Sequence, residues 1–176
     1  GYPGGPLISA EAEKFSEKEG FLGLTLPRPM TNSKNLNFSF SGLKTAVLYM
    51  VRDLVNSGWP LESIRSEIAH EAQQAIVDVL VSKTLRAVKK YGVKSVLLSG
   101  GVSANKLLRK TLEKEVSRLS LEKGVGQFNK VKFFKPIMPY TTDNAAMIAL
   151  AGYFNYAKSK KKTDWRSVKV DANLRI

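Results

Sequence analysis

The sequence predicts an α/β fold built on a mainly parallel sheet. Two short apolar runs, residues 94–99 and 131–134, each lead through a loop into a stretch whose apolar residues recur at helical spacing. A long helical stretch over residues 61–91 passes through Gly92 into the first of these runs. Strands that alternate with helices in this way make βαβ units, in which successive strands lie parallel. With 176 residues, 43% apolar and 24% charged, the chain can bury one real core, and a single domain is the expectation.

The elements follow in chain order. Gly1-Tyr2-Pro3-Gly4-Gly5-Pro6 is a turn-forming opening with no strand or helix before it, which reads as a cut through a longer polypeptide, the alternative being a genuine N-terminus on a flexible arm. Residues 7–19 carry acidic and basic side chains around an apolar stripe and predict a short helix. Residues 21–26 and 36–40 have strand character, separated by Pro27-Arg28-Pro29, and the alternation in Asn37-Phe38-Ser39-Phe40-Ser41 puts both aromatics on one face. A helix over residues 43–56 comes next. Pro60 then opens the stretch 61–91, long enough for a break or kink to be expected. Beyond the strand at 94–99, Gly100-Gly101-Val102-Ser103-Ala104-Asn105 turns the chain into a helix over residues 106–119. The second strand passes through Pro136 and Pro139 to Tyr140-Thr141-Thr142-Asp143-Asn144, where a final helix begins and runs to about residue 158.

Composition removes several kinds of chemistry. Cysteine is absent, so disulfides, thiolate metal sites and cysteine nucleophiles are excluded. His70 is the one histidine, which excludes two-histidine schemes such as the HExxH zinc proteases. No run of about 18 apolar residues exists and the opening residues do not resemble a signal peptide, so a soluble, cytoplasmic protein without a membrane partner is expected. The 28 Lys+Arg outnumber the 15 Asp+Glu, giving a formal charge of +13, with clusters at Lys89-Lys90, residues 130–135 and residues 158–162. Such an excess favours polyanionic partners such as RNA, DNA or an anionic surface, with a solvated basic surface as the plainer reading.

Four segments carry candidate chemistry. In the strand–turn–helix at residues 96–108, the paired glycines Gly100 and Gly101 let the backbone turn sharply and approach a ligand. The following helix start presents N–H groups to an anion, and Asn105 adds an amide at or near the cap. That turn is neither GxxxxGK[ST] nor GxGxxG, and a plain tight turn is an equal reading. In Thr141-Thr142-Asp143-Asn144, Thr142 or Asp143 would serve as an N-cap, or Asp143 would project as a metal ligand. His70 reads as a half-buried surface histidine. The opening glycines, Gly5 included, and Phe38-Ser39-Phe40-Ser41-Gly42-Leu43-Lys44 are unremarkable alone.

Taken together, these segments resemble a family. GYPGGP, the PRPM ending at Met30, FSFSGLKTA from Phe38, LSGGVSANKLLR from Leu98 and YTTDNAAMIALAG from Tyr140 stand in the order and spacing of the bacterial tRNA threonylcarbamoyladenosine transferases. The resemblance runs from the first residue to about Gly152. It implies an actin-like ATPase fold of two ribonuclease-H-like lobes, with this chain as most of the C-terminal lobe: residues 1–41 as lobe-linking turns and short strands, residues 42–176 as a helix-rich βαβ core. It also implies transfer of the threonylcarbamoyl group of threonylcarbamoyl-adenylate to the exocyclic amine of the adenosine beside the anticodon, in tRNAs that read codons starting with A.

By similarity, Gly5 and Asn105 contact the adenylate, Gly100 and Gly101 form its backbone cradle, and Asp143 ligates an iron or zinc ion. The implied partners are tRNA, other subunits of the threonylcarbamoyl transfer complex, and a second copy of the chain in a homodimer. For these roles to hold, the loops carrying Asn105 and Asp143 must converge on one cleft. Full-length members complete the site with an HxxxH pair, a glycine-rich substrate loop and an aspartate, none of which occurs here. This chain therefore holds one metal ligand of three, and the isolated polypeptide is expected to bind adenylate or metal poorly and to have no transferase activity. A non-catalytic lobe that binds tRNA or partner subunits is the second reading. The glycoprotease label once given to this family is a distant third, because only a Ser41–Lys44 pair could serve it.

Overall fold

The computed structural model describes residues 3–16, 22–119, 131–159, 164, 166, 169 and 170. Residues 17–21, Lys130 and residues 160–162, which the sequence assigns to a helix end, a strand start and two lysine clusters, lie outside the described residues. The chain divides into two compact units, Gly1–Thr141 and Thr142–Ile176.

The first unit is organised by one long helix. Helices α1 (Gly4–Ala12), α2 (Ser41–Asn56), α3 (Leu61–Tyr91) and α4 (Lys106–Leu119) and strands β1 (Ser95–Leu97) and β2 (Lys132–Phe134) follow in that order. Helix α3 runs unbroken for 31 residues, because its interior holds neither proline nor glycine to kink it. Gly92 ends it in the left-handed conformation, φ 58°, with its N–H on the Val88 carbonyl at 2.9 Å.

Apolar residues on two sides of α3 give the unit two cores. Val77 and Val81 pack with Leu108 and Leu112 of α4, joined by Leu98 and Phe133 from the strands. Ala75 packs with Leu26 and with Leu43 of α2, joined by Phe40, Met50 and Ile76. Helix α1 also lies on α3, where Ala12 is buried and the Glu11 carboxylate bonds Arg65 at 2.8 Å.

The parallel sheet expected from the sequence is present as one pair. Strand β1 pairs with β2 in the register Ser95↔Lys132, Val96↔Phe133 and Leu97↔Phe134. Leu98 N–H to Phe134 O (2.9 Å) and Lys132 N–H to Lys94 O (3.0 Å) lengthen the ladder. With α4 as the connection, this is a βαβ unit. Leu97 and Phe134 remain 72% and 51% exposed.

Two expected strands are not strands. Residues 22–28 and 36–40 are extended, but neither joins the sheet. The amides of the first are satisfied by side chains of α3 instead. Glu67, only 5% exposed, accepts from the Leu22 and Leu24 N–H groups at 3.0 Å each, and Glu71 accepts from Leu26 N–H at 2.8 Å. Arg28 closes this arrangement by pairing with Glu71 and Asp78. Further along α3 the polarity reverses. Arg86 donates to the Thr31 and Ser33 carbonyls at 2.8 and 2.7 Å, and Lys83 donates to Ser33 Oγ at 2.8 Å and to the Asn37 carbonyl. Residues 22–37 are thus a strap, its N–H groups held by acidic side chains of α3 and its carbonyls by basic ones. Phe38 and Phe40 stack on one side, ring centroids 6.4 Å apart, as the alternation predicts.

Lys83 is 1% exposed, and its bonds are to neutral oxygens, with no carboxylate partner among the described residues. Burial, then the nearby Arg86 guanidinium, hold its ammonium pKa below the usual lysine value. Because the folded state binds this proton less tightly than the unfolded state, the lysine's contribution to stability rises with pH through the window below 10.5. The unfolding free energy of the native chain minus that of Lys83→Met should therefore increase as pH is raised from neutral toward that value. Chemical denaturation of both proteins across the range measures it, and a flat difference would contradict this assignment of the proton.

Helix α1 also departs from expectation. It begins at Gly4 and stops at Ala12, so Gly4, Gly5 and Pro6 are helical where the sequence suggests a loop. The extended Pro3 (φ −82°, ψ 136°) starts the helix, and Pro6 sits in the first turn, where its missing N–H costs no hydrogen bond.

The second unit contains α5 (Ala145–Lys158), which matches the final helix read from the sequence. No helix among the described residues is long and apolar enough to cross a membrane.

Candidate functional site

The glycine turn after β1 is built from its backbone outward. Gly100 has φ 81° and ψ 170°, a conformation that side chains on a Cβ disfavour, and it leads into a short 3-10 turn, Gly101–Ala104. The turn closes on itself through Ser103 N–H to Gly100 O at 2.9 Å and Asn105 N–H to Val102 O at 3.0 Å. A Cβ built at Gly100, Gly101 or Gly5 would meet nothing within 4 Å, so open space faces the backbone at all three. Arg109 fastens the turn from below, donating to Ser103 O at 2.9 Å and to the Pro136 carbonyl. The Ser103 hydroxyl beneath it is fully buried without a hydrogen-bond partner.

Asn105 is the N-cap that the sequence expects. Its Oδ1 accepts the Leu108 N–H at 2.9 Å, in the first turn of α4. The other end of the same amide reaches two more elements: Nδ2 donates to Gln73 Oε1 of α3 at 2.7 Å and to Ser9 Oγ of α1 at 3.1 Å. A Lys106–Glu13 ion pair at 2.9 Å joins α1 and α4 beside it. Gly5, Gly100, Gly101 and Asn105 therefore all belong to the first unit, and α1 is bonded directly to the glycine turn. Ser9 and Gln73 have no local sequence signal, because their link to Asn105 spans 96 and 32 positions of chain.

Asp143 belongs to the second unit. The N-cap of α5 is Asn144 rather than Thr142 or Asp143: with φ −153° and ψ 155°, Asn144 accepts the Met147 N–H at 3.0 Å. This corrects the capping reading and leaves the exposed Asp143 carboxylate without a capping role. His70 is half-buried and packs on Phe15, ring centroids 4.9 Å apart, in keeping with a surface histidine. Among the described residues no three His, Cys, Asp or Glu side chains gather to hold a metal ion. One carboxylate does not by itself make an iron or zinc site. Ser41 and Lys44, the pair a protease would need, make no hydrogen bond to each other; the Ser41 carbonyl accepts from Thr45 Oγ1 at 3.3 Å.

Basic side chains lie close to the turn. Lys106, Lys110 and Lys114 recur every four residues on the exposed side of α4. Lys106 and Lys110 border a hollow of about 310 Å³ that Phe15 and His70 also line.

A βαβ unit whose glycine turn is bonded to a glycine-led helix defines an α/β lobe. The sequence pattern of the tRNA N6-adenosine threonylcarbamoyltransferases matches residues 1–150, and the chain belongs to that family. Among curated relatives, all named tRNA N6-adenosine threonylcarbamoyltransferase, the protein from Thermosipho africanus is 42% identical over 158 residues, covering 90% of this chain and 42% of its own length. That of Francisella philomiragia is 45% identical over 180 residues, covering 99% and 45%. That of Chromobacterium violaceum is 45% identical over 152 residues, covering 86% and 40%. The chain spans less than half the length of these relatives.

Proposed function

We propose that this chain is the C-terminal lobe of an actin-like threonylcarbamoyl transferase acting on tRNA in the cytoplasm, and that it supplies one wall of the adenylate site. The observation that carries this reading is the bonding of α1 to the glycine turn through Asn105, in a chain of this family. Threonylcarbamoyl-adenylate is a mixed anhydride and already activated. The protein's work is to orient its carbonyl toward the adenosine amine and to offset negative charge on oxygen. Gly100 and Gly101, open in front, offer backbone to the adenylate. Gly5 does the same from the first turn of α1. Asn105 has both amide hydrogens engaged and one oxygen lone pair free, so it would face the ligand as an acceptor. Asp143 would contribute one carboxylate to an iron or zinc ion whose other ligands lie outside this chain.

The lysines of α4 give tRNA a place to dock, and other subunits of the transfer complex or a second copy would use other faces. The chain alone should retain RNA binding without turnover. Affinity for tRNA is expected to fall on the order of tenfold or more between about 50 and 200 mM salt, and Lys110→Glu with Lys114→Glu should flatten that slope. Filter binding at several salt concentrations, beside an assay of modified adenosine, tests both halves. Salt-independent binding removes the docking surface, and robust turnover by the chain alone removes the view that its site is incomplete.

A further inference from the structure

The amide nitrogen of Asn105 is a joint between three elements that are distant in sequence. We propose that Ser9 and Gln73 are positioning residues of the adenylate site, holding the glycine turn and the Gly4-Gly5 end of α1 in one fixed relation through that nitrogen. The inference rests on the adenylate reading above.

The geometry leaves the network one orientation. The Leu108 N–H at 2.9 Å requires the oxygen of the Asn105 amide on the helix side, which turns Nδ2 toward α1 and α3. Both hydrogens on Nδ2 then have acceptors, Gln73 Oε1 at 2.7 Å and Ser9 Oγ at 3.1 Å. A rotated Gln73 amide would oppose two donors, so its orientation is fixed in turn. Each partner fixes a different element: Gln73 comes from the middle of α3, and Ser9 lies one helical turn beyond Gly5 in α1. Remove either, and one hydrogen of a half-buried amide loses its acceptor, freeing Asn105 to leave its rotamer. Because Asn105 also caps α4, a change in its rotamer is passed to Gly100 and Gly101, five and four residues before it. Neither Ser9 nor Gln73 needs to touch the ligand for this to matter.

The test uses the chain itself, with AMP as probe at millimolar concentration and nuclear magnetic resonance as readout. In the native chain AMP should shift the amide signals of Gly100 and Gly101, and the Asn105 side-chain amide hydrogens should exchange slowly with water. Ser9→Ala and Gln73→Ala should each speed that exchange and weaken AMP binding by about tenfold, with little change in the unfolding midpoint. Gln73→Glu and Ser9→Thr, which keep an oxygen acceptor, should restore most of both. If AMP binds the alanine variants as it binds the native chain, the positioning role is refuted while the adenylate reading stands. If AMP shifts nothing in the native chain, the adenylate reading fails. Equal Asn105 exchange rates in native and variant chains would refute the joint under either outcome.

Discussion

Replacing Glu67 by alanine should lower the stability of the first unit by about 3 kcal/mol, since two hydrogen bonds to an ionised acceptor are lost at once. The Leu22 and Leu24 amides have no strand neighbour to turn to. They would need water, and water reaching them would loosen Leu26, which is 2% exposed and anchors the strap in the core beside α2. Glu67→Gln keeps one acceptor oxygen and should fall between the native chain and alanine. Urea denaturation monitored by tryptophan fluorescence measures all three. An unchanged midpoint for the alanine variant would mean that the carboxylate does not hold the strap in solution.

Leu108→Ala should cost a similar amount, about 3 kcal/mol, for a different reason. Leu108 is 2% exposed and packs with Val77, Val81 and Leu112, so truncation leaves a cavity where α3, α4 and the sheet meet. Its backbone N–H is also the one capped by Asn105. The cavity therefore opens directly under the joint with Gln73 and Ser9, and ligand binding should weaken along with stability. Leu108→Met, which nearly conserves volume, is expected to lose less than half as much. Thermal denaturation of both variants decides the point, and equal losses would show that packing volume is not what matters at this position.

Much of this architecture was legible without coordinates. The bounds of α2, α3, α4 and α5 follow from apolar spacing and from Pro60, Gly92 and the Asn105 cap, all local signals. Both strands of the sheet follow from apolar runs between helices. The strap was not legible, because residues 22–26 and 36–40 alternate as a strand does, and alternation describes an extended chain whatever its amides bond. Its acceptors on α3 stand 43 to 45 positions away. Helix α1 was misplaced because paired glycines read as a turn. Only the docking of α1 on α3 and the tolerance of Pro6 in a first turn make the segment helical. In the candidate site the motifs named Gly5, Gly100, Gly101, Asn105 and Asp143 directly. Ser9 and Gln73 were missed, since a serine in a short helix and a glutamine in a long one carry no mark of a distant partner.

The length of α3 has one more consequence. At 31 residues it extends about 46 Å, and α1, α2, the strap and α4 all rest against it. No group of these elements has a core that excludes α3, so none should melt or refold as a separate subdomain. Heating or denaturant should dismantle residues 22–119 in a single cooperative transition, with amide exchange protection along α3 and its partners vanishing together.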